Sequence, residues 1–182
     1  MILLSISLLE MKKISNLIIL MFFLLFIPFA LIAEEKKIDN QNNELNFYTG
    51  MFDFSDQGKR SALFGLQHQN EELFRESFLG NLSPVTGGLI TADNSIYVYT
   101  GVQANYQLGL LKLTPSFAPG IYNQGDGKDL GSPIEFKSEI QLSFDLSKNS
   151  MFGMSYNHIS NASIGEKNPG ANSYMFNFFK QF

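Results

Sequence analysis

The stretch Tyr156-Asn157-His158-Ile159-Ser160-Asn161-Ala162 holds the residues best suited to chemistry in this chain. His158 and Ser160 are two positions apart, and on a β-strand that spacing turns both side chains to one side. An imidazole beside a hydroxyl is the basic unit of nucleophilic acyl transfer, in which the ring takes the proton and the oxygen attacks a carbonyl. An isolated His-x-Ser pair also reads as two interfacial polar residues with no reaction to run. The other candidates are weaker. The chain has no Cys, which excludes a disulfide scaffold, a thiol nucleophile and a thiolate metal site. His68 has no ligand partner at useful spacing. Gly87-Gly88 reads as a bend, since no helix N-terminus follows to cradle a phosphate. Asp126, Asp129 and Glu135 read as solvated loop acids rather than a cation site. No metal and no cofactor is expected.

The elements that must position His158 and Ser160 are strands. Segments with strand character run from Leu45 to Phe54, Ser61 to Gln69, Val85 to Ala92, Ser95 to Tyr106, Leu108 to Tyr122, Ile134 to Leu146, Met151 to Asn161 and Ser173 to Phe182. That makes about eight, separated by turn signals, and points to an all-β barrel or sandwich. Leu108 to Tyr122 contains Pro115 and Pro119, so it reads as two pieces or one bent strand. Glu71 to Leu82 reads as a short helix or a strand extension. Strands of about ten residues favour an outer-membrane barrel, which turns apolar side chains outward to lipid. In the last segment Tyr174, Phe176, Phe178 and Phe182 share one parity, interrupted by Lys180. A terminal Phe on an alternating strand resembles the sorting signal of bacterial outer-membrane barrels.

An even-stranded barrel keeps both termini in the periplasm. The connections at Ser55–Arg60, Asn123–Pro133 and Ala162–Asn172 then fall outside, and tight turns near Gln107 and at Ser147–Ser150 fall in the periplasm. Eight strands leave an interior that side chains fill, so neither a plug nor a wide pore is expected. His158 and Ser160 share the lipid-facing parity of Phe152, Met154 and Tyr156, near the outer end of the seventh strand. Polar groups on that face cost free energy if idle. A substrate held there would be a lipid of the outer leaflet.

The N-terminal sequence agrees with export. Met11-Lys12-Lys13 precedes an apolar run from Leu17 to Ala33, which Glu34-Glu35-Lys36-Lys37 ends. This reads as a signal peptide over 1–33, cut after Ala33, with Met11 the expected start. A polar, flexible segment is expected over 34–43 and the barrel domain over 44–182. The chain has 182 residues, 13 basic and 17 acidic side chains, a net charge of −4 and 18 Phe. The size favours one domain, and the charge argues against a nucleic-acid partner.

The segment from His158 to Phe182, HISNASIGEKNPGANSYMFNFFKQF, resembles the C-terminal signature of the lipid A 3-O-deacylase family (PagL type). That signature is H-x-S-N, a loop with Asn, Pro and Gly, then an acidic residue before the last strand. GMFDF at 50–54, LFGLQ at 63–67, LTPSFAPGIY at 113–122 and LGSPIEFKSEIQL at 130–142 extend the resemblance over most of the chain. It implies an eight-stranded antiparallel outer-membrane β-barrel that hydrolyses an acyl ester of lipid A, with lipopolysaccharide as its partner. By resemblance Ser160 is the nucleophile, His158 the general base, and Asn161 and Asn168 belong to the oxyanion site. Asn172 falls where the family has a Glu that orients the His. An amide can hold the ring but cannot supply negative charge, and this exchange in a triad can cost several orders of magnitude in rate. Glu166, in the same loop, is the nearby acid in sequence. Reduced or conditional esterase activity is expected. The alternatives are a catalytically weak or inactive barrel with a structural or adhesion role, and a soluble periplasmic β-sandwich that binds a ligand.

Overall fold

The computed structural model describes residues 43–70, 73 and 75–182. The expected leader over 1–33 and the polar segment over 34–43 lie outside these residues, apart from Asn43, which opens the first strand. Ten strands follow: β1 Asn43–Phe52, β2 Ser61–Asn70, β3 Arg75–Ser77, β4 Gly80–Thr91, β5 Ile96–Ala104, β6 Tyr106–Leu108, β7 Leu111–Asn123, β8 Ile134–Ser147, β9 Ser150–Ser160 and β10 Ala171–Gln181. They pair in the order β2-β1-β10-β9-β8-β7-β5-β4, and β2 also pairs with β4, which closes the sheet. All these pairings are antiparallel. Strand β3 pairs with β4 and prolongs β2, while β6 pairs with β7 and prolongs β5. The result is the expected antiparallel barrel of eight staves.

Alternation decides which residues face where. On β10, Met175, Asn177 and Phe179 are each about 1% exposed, while Tyr174, Phe176 and Phe178 are exposed on the other parity. The buried parity elsewhere supplies Gln67, Gln69, Gln103, Lys137, Glu139 and Asn157 alongside Tyr48, Tyr97 and Tyr99. A buried polar group is tolerable when it is hydrogen-bonded. Asn46 donates to Asn177, Asn177 to Ser155, and Tyr99 to Gln67. Lys137 lies 2.9 Å from the Glu139 carboxylate and 3.9 Å from the centroid of the Tyr99 ring. The polar interior and aromatic exterior invert the pattern of a soluble sandwich and match a wall facing lipid. No helix among the described residues is long and apolar enough to cross a membrane.

Three ambiguous segments resolve with physical reasons. Leu111–Asn123 is one strand, and its prolines sit where the ladder on one side is interrupted. Pro119 falls between the pairs Tyr99–Gly120 and Val102–Phe117, and Pro115 faces the break between β5 and β6. A residue without an N–H is accommodated at such gaps. The turn expected near Gln107 falls two residues later, at Gly109–Leu110, where Gly109 has φ 63°. Within Glu71 to Leu82 the described residues form a strand extension that turns at Phe78–Leu79. Of the two readings the strand extension holds, as a hairpin of β3 and β4 with a tight turn.

Candidate active site

The site lies where β9 ends and β10 begins, on the side of the barrel that carries the longer connections. His158 and Ser160 occupy the outward parity at the end of β9, and both are half-buried. In the register, His158 stands between Ser138 of β8 and Asn172 of β10, while Ser160 stands opposite Phe136. The two residues therefore share a lipid-facing column with Tyr156 and Met154, as the alternation predicts.

Asn172 holds the imidazole. Its Oδ1 lies 2.8 Å from His158 Nδ1 and accepts a hydrogen bond from the Tyr156 hydroxyl at 2.8 Å. Its Nδ2 donates to Ser55 Oγ at 3.1 Å. With Oδ1 an acceptor only, the proton of the neutral ring sits on Nδ1, the tautomer that leaves the Nε2 lone pair free. Gly170 packs against the ring from the loop side. A Cβ there would lie 2.8 Å from His158 Cε1, and the backbone has φ 62°, so glycine meets both a steric and a conformational requirement. Among the described residues no hydrogen bond joins His158 to Ser160. Catalytic hydrogen bonds often tighten only around substrate.

A tight turn follows Ser160. Asn161 is fully buried, and its side chain is committed to the loop. Nδ2 donates to Leu130 O at 2.9 Å and Lys167 O at 2.8 Å, and Oδ1 accepts from Ser163 N at 2.9 Å. Ala162 and Ser163 both have positive φ, 52° and 66°, a strained pair held by this anchoring. The backbone N–H of Asn161 donates to Asn168 Oδ1 at 3.1 Å. Among the described residues that bond leaves Asn168 Nδ2 as the unengaged amide donor of the two asparagines. Lys167 Nζ lies 2.7 Å from Asp129 and holds its carboxyl below the usual range, tying the 161–170 loop to the loop before β8.

Other candidates fall away from the ring. Glu166 is exposed, and the Nδ1 position it might have filled is taken by Asn172. Asp126 accepts from Asn94, and Glu135 turns into the barrel. His68 faces outward on β2, well removed in register from β9. The sequence reading gave no role to Asp53, Ser55, Tyr156 or Gly170, although Tyr156 opens the singled-out stretch and Gly170 lies in the signature loop. Asp53 and Ser55 follow β1, more than 100 residues before His158, and reach the site because β1 pairs with β10. The signal that could have found them is barrel closure itself, which sets the end of the first strand beside the start of the last.

An antiparallel eight-stave barrel with an aromatic outer wall is an outer-membrane β-barrel, and this one carries a His-Ser pair on its lipid-facing rim. The family model described as "Lipid A 3-O-deacylase (PagL)" matches residues 41–181, and the chain belongs to that family. The crystal structure of the outer membrane enzyme PagL is similar at a TM-score of 0.58 and 15% identity, covering 76% of this chain and 99% of that one. Neisserial surface protein A matches at 0.54 and 8% identity, covering 81% of this chain and 100% of that one. A designed transmembrane β-barrel matches at 0.52 and 8%, with the same coverage. At such identities these likenesses speak to the fold alone. A comparison with curated protein sequences returned no match. The family acts on lipid A as an ester hydrolase, and the chain is a protein of the bacterial outer membrane.

Proposed function

We propose that this chain hydrolyses an acyl ester of lipid A at the outer leaflet, with Ser160 as nucleophile and His158 as general base. The observation that carries the reading is the fixed imidazole: Asn172 Oδ1 sits 2.8 Å from Nδ1, which leaves Nε2 free on the lipid-facing wall two residues from Ser160. Nε2 takes the Ser160 proton as Oγ bonds to the ester carbonyl carbon. The ester C–O bond breaks, and the proton passes from Nε2 to the departing sugar hydroxyl. Water then repeats the sequence on the acyl-serine and releases a fatty acid. Asn168 Nδ2 supplies a donor for the oxyanion, and Asn161 acts by orienting Asn168 through its backbone N–H.

Asn172 occupies the orienting position without the charge of an acid. That feature favours the second reading, an inactive barrel with a structural or adhesion role. One assay separates them. Mass spectrometry of lipid A from cells expressing the protein should show loss of one hydroxyacyl chain, and Ser160→Ala should abolish that loss. A lipid A profile unchanged by the wild-type protein would leave the inactive barrel standing.

A further inference from the structure

We infer that Asp53 is a positioning residue for this reaction, its carboxylate supplying through Ser55 and Asn172 the negative charge that the Asn172 amide lacks. The inference rests on the deacylase reading above and deepens it. The connection runs through three hydrogen bonds. His158 Nδ1–H donates to Asn172 Oδ1 at 2.8 Å, Asn172 Nδ2 donates to Ser55 Oγ at 3.1 Å, and Ser55 Oγ donates to Asp53 Oδ1 at 3.3 Å.

Each direction is forced. A carboxylate oxygen only accepts, so the single Ser55 hydroxyl proton points to Asp53, and the Ser55 lone pairs face the Asn172 amide. The amide is thereby polarised in the sense that strengthens its carbonyl as an acceptor for the imidazole. Asp53 is built for this position. It is fully buried, its φ of 49° turns the chain back at the end of β1, and its Oδ1 also accepts the Asn172 backbone N–H at 3.3 Å. Phe54 N donates to Asn172 O at 2.9 Å, which locks the two backbones together. Lys128 lies 2.5 Å from the other oxygen, Oδ2. It offsets part of the charge and steadies the carboxylate while Oδ1 stays directed at the relay.

The simpler role for Asp53 is to staple the first outer loop to Lys128. Ser55→Ala separates the two, because it cuts the relay and leaves the Asp53–Lys128 pair in place. The full-length protein is labelled with 15N-histidine in detergent micelles, and His158 is assigned by the signals lost in His158→Gln. The wild-type neutral ring is expected as the Nδ1-protonated tautomer. In Ser55→Ala the Nε2-protonated tautomer should grow in. The same variant should lose kcat by about tenfold with KM unchanged, the loss that partners orienting a functional imidazole usually cost. Ser55→Thr should restore both, and Asp53→Asn should match Ser55→Ala. If Asp53→Asn fails to fold, Ser55→Ala decides alone. Imidazole spectra and kcat unmoved by Ser55→Ala would overturn the relay while leaving the deacylase reading intact. Failure of the wild-type protein to cleave lipid A would instead sink that reading, and the tautomer shift would still report the relay.

Discussion

His158 has one ring nitrogen committed to Asn172 and one free, and its use as a base depends on which is which. Asn172 decides it, because an oxygen that already accepts from Tyr156 can only accept from the ring as well. Against the Glu of the family, Asn172 is shorter by one methylene and lacks the charge beside Nδ1, yet its Oδ1 still reaches the ring at 2.8 Å. Asn172→Glu should therefore raise kcat about five- to tenfold, since a charge-assisted hydrogen bond exceeds a neutral one by roughly 1 kcal/mol. Steady-state kinetics on lipid A measures this, and an unchanged or lower kcat would mean that Asn172 does not stand in the orienting position. At this scale the sequence was half legible. The i, i+2 spacing of His158 and Ser160 needs only the pleat of a strand to be read. Asp53 lies in the GMFDF stretch and Ser55 just after it, but neither stands at a spacing that signals chemistry, and their link to Asn172 exists only once β1 has paired with β10.

At the level of elements, the site is a strand end plus a loop that must return at close range. Strand β9 delivers His158 and Ser160 on one face, and the loop over 161–170 folds back so that Gly170 touches the ring and Asn172 enters β10 beside it. Gly170→Ala tests that arrangement. The new Cβ would meet His158 at 2.8 Å, and an alanine in the left-handed region costs about 1–2 kcal/mol. The barrel should still form, with kcat reduced at least about tenfold by the displaced ring, since small misplacements of catalytic groups are costly. A folded variant with wild-type kcat would show that the ring has room to move. Strand positions were readable from alternation, because each face meets a different solvent. The loop geometry was not, since Asn161 anchors to Leu130 across the barrel rim, a contact with no sequence period.

The molecule as a whole is an inverted protein, with tyrosines, glutamines and a Lys137–Glu139 pair inside and a wall of Phe, Ile and Leu outside. Beyond the apolar run from Leu17 to Ala33, the apolar residues of the strands occupy alternate positions rather than runs. Phe176 lies midway along β10 on the exposed parity. Phe176→Arg should destabilise the barrel by about 2–4 kcal/mol in lipid vesicles, as charge on a lipid-facing midplane position does. Urea titration of heat-modifiable gel migration reads the loss, and a neutral outcome would mean that this face meets water. The barrel class, stave count and lipid-facing parity were all accessible from sequence, since they follow from strand length and alternation. The central claim is that this wall carries a working esterase. Its most direct test is the purified protein added to vesicles containing lipid A, with released fatty acid followed by mass spectrometry. Release of one hydroxy fatty acid by the wild type, and none by Ser160→Ala, is the result expected. No release by the folded wild-type barrel, or equal release by Ser160→Ala, would contradict it.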